Sequence, residues 1–329
     1  MTVTIKDVAQ AAGVSITTVS RVLSNKGSFY SEKTARKVKK TAEKLGYQKN
    51  TAAAELATQK SKAIGVVINS TQTNFSNSII EGIQQEANEH DLSAIIVYAG
   101  VGDAQMQHRA IQTVIERSVK GILLLSVDVS TDDLALLNQA QIPYISLSQA
   151  FTDEQISYIS SNDLEIGYQA TSYLLNKGHR KIGLAGIDVQ KNAMTGRNRL
   201  AGYEKALAEA GIKPLKKWIQ YGDYSYDAGI DAMKKFGEHS GMTAVVAASD
   251  MVGIGLLNQA HDYGIAVPDD LSIISIDGTD LCKIVQPQLT SVTQAFFEMG
   301  VEGVRALESG RTTKFTSIKI EERGSVKPM

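Results

Sequence analysis

Cysteine is nearly absent. One thiol, Cys282, in 329 residues excludes a disulfide framework and any metal site assembled from clustered cysteines. Proline is also scarce, five in all, which rules out collagen-like and proline-rich character. No apolar run reaches the ~18 residues needed to span a bilayer. The opening MTVTIKDVAQ turns polar without the apolar core of a secretion signal. A soluble, cytoplasmic chain with no membrane partner is expected.

Catalytic signatures are missing as well. Gly100-Val101-Gly102 meets Gln105 where a dinucleotide fingerprint needs its third glycine, and Gly253-Ile254-Gly255 meets Asn258. There is no phosphate-cradling loop of the P-loop type, and Ser148 and Ser249 lack a nucleophile elbow. The five histidines, His90, His108, His179, His239 and His261, show no metal-ligand spacing. Neither catalysis, a cofactor nor a bound metal is expected.

What is present is a globular composition, 43% hydrophobic and 21% charged, long enough for two or three compact units. The net charge of −1 conceals an asymmetry. Residues 1–62 hold 12 of the 34 basic residues but only 4 of the 35 acidic ones. A basic head on an acidic body is the electrostatic footprint of a module that binds a polyanion.

Within the head, Thr4-Ile5-Lys6-Asp7 reads as a capping box, followed by a short helix with Ile5, Val8, Ala9 and Ala12 on one face. Gly13 supplies a tight turn. Ser15 then caps a second helix in which Val19, Val22 and Leu23 are apolar and Thr17, Ser20 and Arg21 are left facing outward. Ser31 caps a third helix that ends at Gly46. Small residues at Ala9 and Gly13 let the first two helices cross closely and steeply, the arrangement of a helix-turn-helix unit.

The strings TIKDVAQAAGVSITTVSRVLSNKG, SEKTARKVKKTAEKLGYQKN and AAAELATQKSKAIGVV resemble the LacI/GalR family of bacterial transcription regulators, densely over the first 66 residues. That resemblance implies a second helix lying in the major groove of double-stranded operator DNA. Thr4, Ser15, Ile16, Thr17, Ser20, Arg21 and Asn25 are then the expected contacts, with Arg21 able to pair bidentately with guanine. It also implies a hinge helix over NTAAAELA (50–57), formed on DNA and paired with its twin from a second subunit. Asn50 and Ala53 would lie against the DNA, and Leu56 would wedge into a minor-groove step. By length alone this stretch is too short for a stable isolated helix.

From Ala63 onward, short apolar runs alternate with amphipathic segments in two successive series. This is the pattern of parallel sheets with helices on both faces, arranged as two similar doubly wound α/β subdomains. GHRKI (178–182), RLAGYEKAL (199–207), the SD at 249–250 and the SID at 275–277 resemble the periplasmic-binding-protein-like core of the same family. The resemblance implies an effector cleft contacted by Arg197 and Asp277. Tyr224 would stack on a sugar face, Phe75 and Phe296 would line the cleft, and Asn162 stands where an acidic residue is commoner, with Asp163 next door as its substitute. Ser249 occupies a position where Asn is frequent. Arginine, carboxylates and aromatic rings together suit a polyhydroxylated ligand.

The expected organisation is a DNA-binding domain over 1–49, a hinge over 50–62 and an effector-binding, dimerising core over 63–329. The two subdomains of the core are expected at roughly 63–160, with 290–329 crossing back, and at 161–289. No heptad helix follows residue 314, so a homodimer is expected. The functional expectation is a repressor that binds a palindromic operator and answers to a small-molecule effector of carbohydrate type. Two alternatives stand beside it: a sugar-binding module without a transcriptional role, and a regulator controlled by a protein co-effector.

Overall fold

The computed structural model describes residues 3–24, 30–47, 61–69, 74–100, 102–153, 155–190, 194–310 and 312–329. They fall into two compact units, Met1–Ser61 and Lys62–Met329. No helix among the described residues is long and apolar enough to cross a membrane.

The described residues of the first unit form three helices: α1 (Ile5–Ala12), α2 (Ile16–Leu23) and α3 (Glu32–Lys44). The Asp7 carboxylate accepts from both the backbone N–H and the hydroxyl of Thr4, each at 2.8 Å, which caps α1. Gly13 then turns the chain at φ +60°, a left-handed conformation that glycine adopts without a Cβ penalty. Val8, Ala9 and Ala12 of α1 pack with Val19 and Val22 of α2 and Val38 and Ala42 of α3 as one buried cluster. Gly46 (φ +64°) ends α3, with the N–H of Tyr47 donating to the Ala42 carbonyl at 2.9 Å.

The second unit contains two six-stranded sheets. The first holds β1 (Ala63–Ile68), β2 (Ser93–Tyr98), β3 (Ile122–Leu125), β4 (Tyr144–Leu147), β5 (Tyr158–Ser160) and β11 (Lys314–Phe315), in the order β11-β5-β4-β3-β1-β2. The second holds β6 (Ile182–Ile187), β7 (Ile219–Tyr221), β8 (Ala244–Ala247), β9 (Ser272–Asp277), β10 (Thr290–Gln294) and β12 (Ile318–Glu321), in the order β12-β10-β9-β8-β6-β7. Pairing is parallel throughout except between β10 and β12. The near-continuous apolar runs follow from this, because a parallel strand is covered on both faces.

Residue alternation shows the covering directly. Ile64, Val66, Ile68, Leu123 and Leu125 pack on one face of the first sheet against α4 (Ser76–Glu89) and α12 (Phe296–Ser309). Val67, Ile122 and Leu124 point the other way, onto α5 (Ala104–Glu116) and α6 (Thr131–Ala140). The second sheet is clothed likewise by α7 (Asp163–Asn176) and α8 (Met194–Glu209) on one face and α9 (Tyr226–Phe236) and α10 (Asp250–Asp262) on the other. A short helix, α11 (Leu281–Ile284), precedes β10.

The chain passes between the sheets three times, after β5, after β10 and after β11. The segment 290–329, expected to return to the first subdomain as a whole, in fact divides. Only α12 and β11 join the first sheet, while β10 and β12 extend the second. The apolar pattern fixes which side of a strand is buried, but not which sheet edge the strand joins, so sequence periodicity could not make this division.

Candidate functional site

On the headpiece, α2 is amphipathic in the strict sense. Val19 and Val22 are buried, whereas Ile16, Thr17, Ser20 and Arg21 are exposed, Ile16 by 44%. The spacing i, i+1, i+4, i+5 puts these four on one helix face. Ser15, also exposed, anchors the N-terminus of that face by accepting the Thr18 N–H at 3.1 Å. Thr4 is exposed at the start of α1, its hydroxyl committed to Asp7. A face bearing hydroxyls, a methyl-rich side chain and a guanidinium, on a module with excess positive charge, is equipped to meet base edges and phosphates. Asn25, Asn50, Ala53 and Leu56 lie outside the described residues.

In the core, four non-glycine residues with left-handed backbone stand at strand carboxyl ends or just beyond them: Ser126 after β3, Ser148 after β4, Tyr224 after β7 and Asp277 at the end of β9, with φ of 54°, 65°, 66° and 109°. Such conformations cost energy and persist where the surroundings over-determine them, commonly at ligand sites. The Ser126 and Ser148 hydroxyls touch at 2.6 Å. Three buried polar atoms have no hydrogen-bond partner among the described residues: Asn69 Oδ1, just after β1, the Tyr224 hydroxyl, and Thr293 Oγ1 on β10. Buried polar groups are otherwise nearly always satisfied. Strain and unmet hydrogen bonds thus gather where open parallel sheets hold ligands, beyond the carboxyl ends of their strands.

Arg199 organises the second-sheet side. Glycines at the α7–α8 crossing bring the two backbones together: a Cβ on Gly167 would lie 2.0 Å from the Arg199 carbonyl oxygen, and one on Gly202 would lie 2.1 Å from that of Leu164. This close approach lets the buried Arg199 donate from Nε to Asp163 Oδ1 at 2.9 Å and from a terminal nitrogen to the Ala248 carbonyl at 2.8 Å. Its other terminal nitrogen lies 3.9 Å from Asp277 Oδ1, and its guanidinium sits 5.9 Å from the centroid of the Tyr224 ring. Gln294 donates to the same Asp277 oxygen at 2.8 Å. Burial pushes the Asp277 carboxyl well above the usual carboxylate range; Arg199 opposes the shift, and the carboxylates of Asp250 and Asp163 add to it. Arg199 stays charged, because Asp163 and Asp277 together overcome the cost of its burial. Burial likewise raises the Tyr224 phenol, whose polar neighbour is the Asp188 backbone.

The residues singled out from the sequence are distributed unevenly about this network. Asp163, Tyr224 and Asp277 belong to it. Arg197 does not. It is exposed and lines a cavity of ≈ 730 Å³ together with Met194 from the same helix and Asn69, Asp128, Gln149 and Phe151 from the loops of the first sheet. Asn162 is exposed and caps α7, accepting the Glu165 N–H at 3.2 Å. Ser249 is fully buried, caps α10 and donates to the Tyr224 carbonyl at 2.7 Å, so it shapes the turn that presents the tyrosine. Phe75 and Phe296 stack with ring centroids 4.7 Å apart and pack on the first-sheet core.

Sequence reasoning passed over Arg199, Gln294, Ser126, Asp128 and Gln149. For Arg199 a signal existed. Residues 199, 202, 203, 206 and 207 form the buried stripe of α8, so a charge at 199 had to be interior and paired, whereas 197 falls off that stripe. Among the described residues no group of three or more His, Cys, Asp or Glu side chains could hold a metal ion.

Comparison with known proteins finds matches to both parts of the chain. A family model described as "Bacterial regulatory proteins, lacI family" matches residues 4–50, and one described as "Periplasmic binding protein-like domain" matches residues 171–320. Catabolite control protein A of Priestia megaterium is 31% identical over 308 residues, covering 93% of this chain and 92% of that protein. Among solved structures, a transcription regulator from Lactobacillus plantarum is 47% identical with a TM-score of 0.74, covering 82% of this chain and all of that one. The Lac repressor dimer bound to operator and the anti-inducer ONPF is 25% identical with a TM-score of 0.86 over 99% of this chain and 100% of that one. The glucose-bound regulator CcpA of Weissella paramesenteroides is 30% identical, with a TM-score of 0.75 over 81% of this chain and 99% of that one.

Proposed function

The chain belongs to the lacI family of bacterial regulatory proteins, and on that footing we propose that it is a homodimeric transcriptional repressor that reads a palindromic operator and answers to a carbohydrate effector. Residues 1–49 are the DNA reader, 50–62 the hinge, and 63–329 the effector-binding and dimerising core. The α2 face of Ile16, Thr17, Ser20 and Arg21 enters the major groove, with Thr4, Ser15 and Asn25 on the backbone beside it. Asn50, Ala53 and Leu56 act in the minor groove, the leucine as a wedge.

Two half-sites require two heads, which the core supplies by pairing with a second copy. Tyr98 and Tyr221, 66% and 57% exposed, end the corresponding edge strands β2 and β7 of the two sheets, and exposed rings at such edges favour coverage by a partner. The effector lies between the two sheets, against Arg199, Asp277 and Tyr224 on one side and Asn69 with the Phe75–Phe296 stack on the other. Arg197 contacts it at the mouth, while Asp163, Asn162 and Ser249 position these groups. Two relatives of known structure support an effector of this kind: the Lac repressor holds the small-molecule anti-inducer ONPF, and the Weissella regulator holds glucose.

One observation carries the reading: a helix-turn-helix whose second helix leaves Ile16, Thr17, Ser20 and Arg21 uncovered on a headpiece with a threefold excess of basic over acidic residues. Selection of bound sequences from a random duplex library tests it. Enrichment of an inverted repeat, with release or tightening by a carbohydrate, is the expected result. Failure to enrich any duplex sequence would overturn the regulator assignment.

A further inference from the structure

The geometry points to an effector that is an uncharged oligosaccharide, with a second sugar unit seated in an outer subsite formed by Asp128, Gln149 and Phe151. This rests on the carbohydrate reading above and narrows it.

Size is the first argument. Pockets of roughly 300–1,000 Å³ serve drug-sized ligands, and the cavity of ≈ 730 Å³ lies well inside that range. It is lined by Asn69 and Arg197 but also runs over the β3–α6 and β4–β5 loops, away from the Asp277 network, whose residues are not in its wall. A single ring held at Asp277 would leave this space to water.

Order is the second. The wall is held together by the chain's own hydrogen bonds. Gln149 donates its amide to Asp128 Oδ1 at 2.6 Å, joining the two loops that form it. Gln107, nearly buried, donates to the Asp128 carbonyl at 2.5 Å and to the buried Asp133 carboxylate at 2.9 Å, and so braces the loop from beneath. Asp133 is held in turn by Ser130 at 2.7 Å and His108 at 2.8 Å. A loop tied down this way loses little entropy on binding.

Polarity is the third. The cavity wall carries the carboxylates of Asp128 and Asp153, the hydroxyls of Ser130, Thr131 and Thr152, and the guanidinium of Arg197. Hydroxyl groups satisfy such a wall, since each can donate to a carboxylate and still accept from arginine. A phosphate group brings acceptors only and would face two carboxylates. Phe151 supplies one apolar surface for a sugar face; a planar base would want a pair of rings to sit between, and among the described residues this wall has one.

The test is calorimetric titration of the full chain with glucose, galactose and ribose, with cellobiose, maltose, lactose and sucrose, and with glucose 6-phosphate, for the wild type and for the Asp128→Ala and Gln149→Ala variants. The expected result is a disaccharide bound at least tenfold more tightly than its component monosaccharide and than the phosphate. In both variants that disaccharide-to-monosaccharide ratio should shrink at least fivefold. Both residues are partly exposed, so thermal melts check that the variants remain folded. A monosaccharide bound as tightly as every disaccharide, or the phosphate bound tightest, overturns the outer subsite and leaves the carbohydrate reading intact. Binding of none of these sugars overturns the carbohydrate reading itself, and the subsite with it.

Discussion

Gln294 donates its side-chain amide to Asp277 at 2.8 Å, and the two residues end neighbouring strands of the second sheet. Gln294 is the last residue of β10, and the chain leaves it directly for α12, a helix of the first sheet. Asp163, which opens α7 just after the other crossing from β5, is bound to Arg199, and Arg199 faces Asp277. Two of the three crossing segments are therefore tied to one buried arginine. A ligand that competes for Arg199 or Asp277 would act on two of the segments that join the subdomains. Its effect on DNA affinity is limited to its differential affinity for the two arrangements, about 1–3 kcal/mol of coupling.

Removing the arginine exposes that dependence. Arg199→Met should cost about 3–5 kcal/mol, because it strands buried carboxylates without their counter-charge. Urea unfolding measures it. Arg197→Ala, on the exposed side of the same helix, should change stability by less than about 0.5 kcal/mol. Equal effects at the two positions would mean that the buried network contributes nothing beyond its surface neighbour.

Asp277 predicts a pH dependence of definite sign. Its folded pKa lies above its unfolded value near 4. The group therefore stabilises the fold fully below pH ~4, and that contribution is lost as pH rises through the folded value. Against Asp277→Asn, which stays neutral throughout, the wild type should lose ground as pH rises above about 4 when urea midpoints are compared. Parallel curves for the two proteins would show that the carboxyl titrates normally.

His179 predicts the opposite sign. It is buried, with Nδ1 at 3.0 Å from Thr243 Oγ1 and Nε2 at 3.0 Å from the Lys327 carbonyl, and burial holds its pKa below the ordinary value. A histidine kept neutral stabilises the fold above its unfolded pKa of ~6.5, and the contribution is lost as pH falls below that. Its readout is local. The Met329 amide, which donates to the Lys177 carbonyl at 2.9 Å, should lose hydrogen-exchange protection as pH falls from 7 to 5, after correction for intrinsic rates. In His179→Gln this slope should be shallower.

On the headpiece, Arg21→Ala should weaken operator binding by about 1–3 kcal/mol and relax sequence preference at one base pair of each half-site. Binding selections on the variant report both quantities. A uniform loss across all sequences would make Arg21 a phosphate contact instead, and unchanged binding would remove it from the interface.

Much of the fold was legible from local pattern. Thr4, Gly13, Ser15, Ser31 and Gly46 all stand at the helix ends their chemistry forecasts, because caps and left-handed turns are decided by one or two residues. The alternation of apolar runs with amphipathic segments sufficed for two parallel sheets. The buried network at the strand ends was only half legible. Asp163, Tyr224 and Asp277, chosen for their places at strand ends, share one network, but Asn162 and Ser249 cap helices and Arg197 is exposed. Two arginines in a three-residue span look alike to a motif, and they are separated only by helix phase and by the glycine crossing that admits one of them.

The sequence by itself determined the charge division, the second helix with its outward face, and the class of the core, since each rests on residues adjacent in the chain or one helical turn apart. Only the tertiary structure decided that residues 290–329 divide between the two sheets, that Arg199 and not Arg197 is the buried partner of Asp163 and Asp277, and that Asp128 and Gln149 wall a cavity with Arg197. The reason is physical. Strand partners, buried ion pairs and cavity walls join residues up to 155 positions apart, and their placement is settled by which surfaces exclude water together, a property of the packed molecule that no local segment carries.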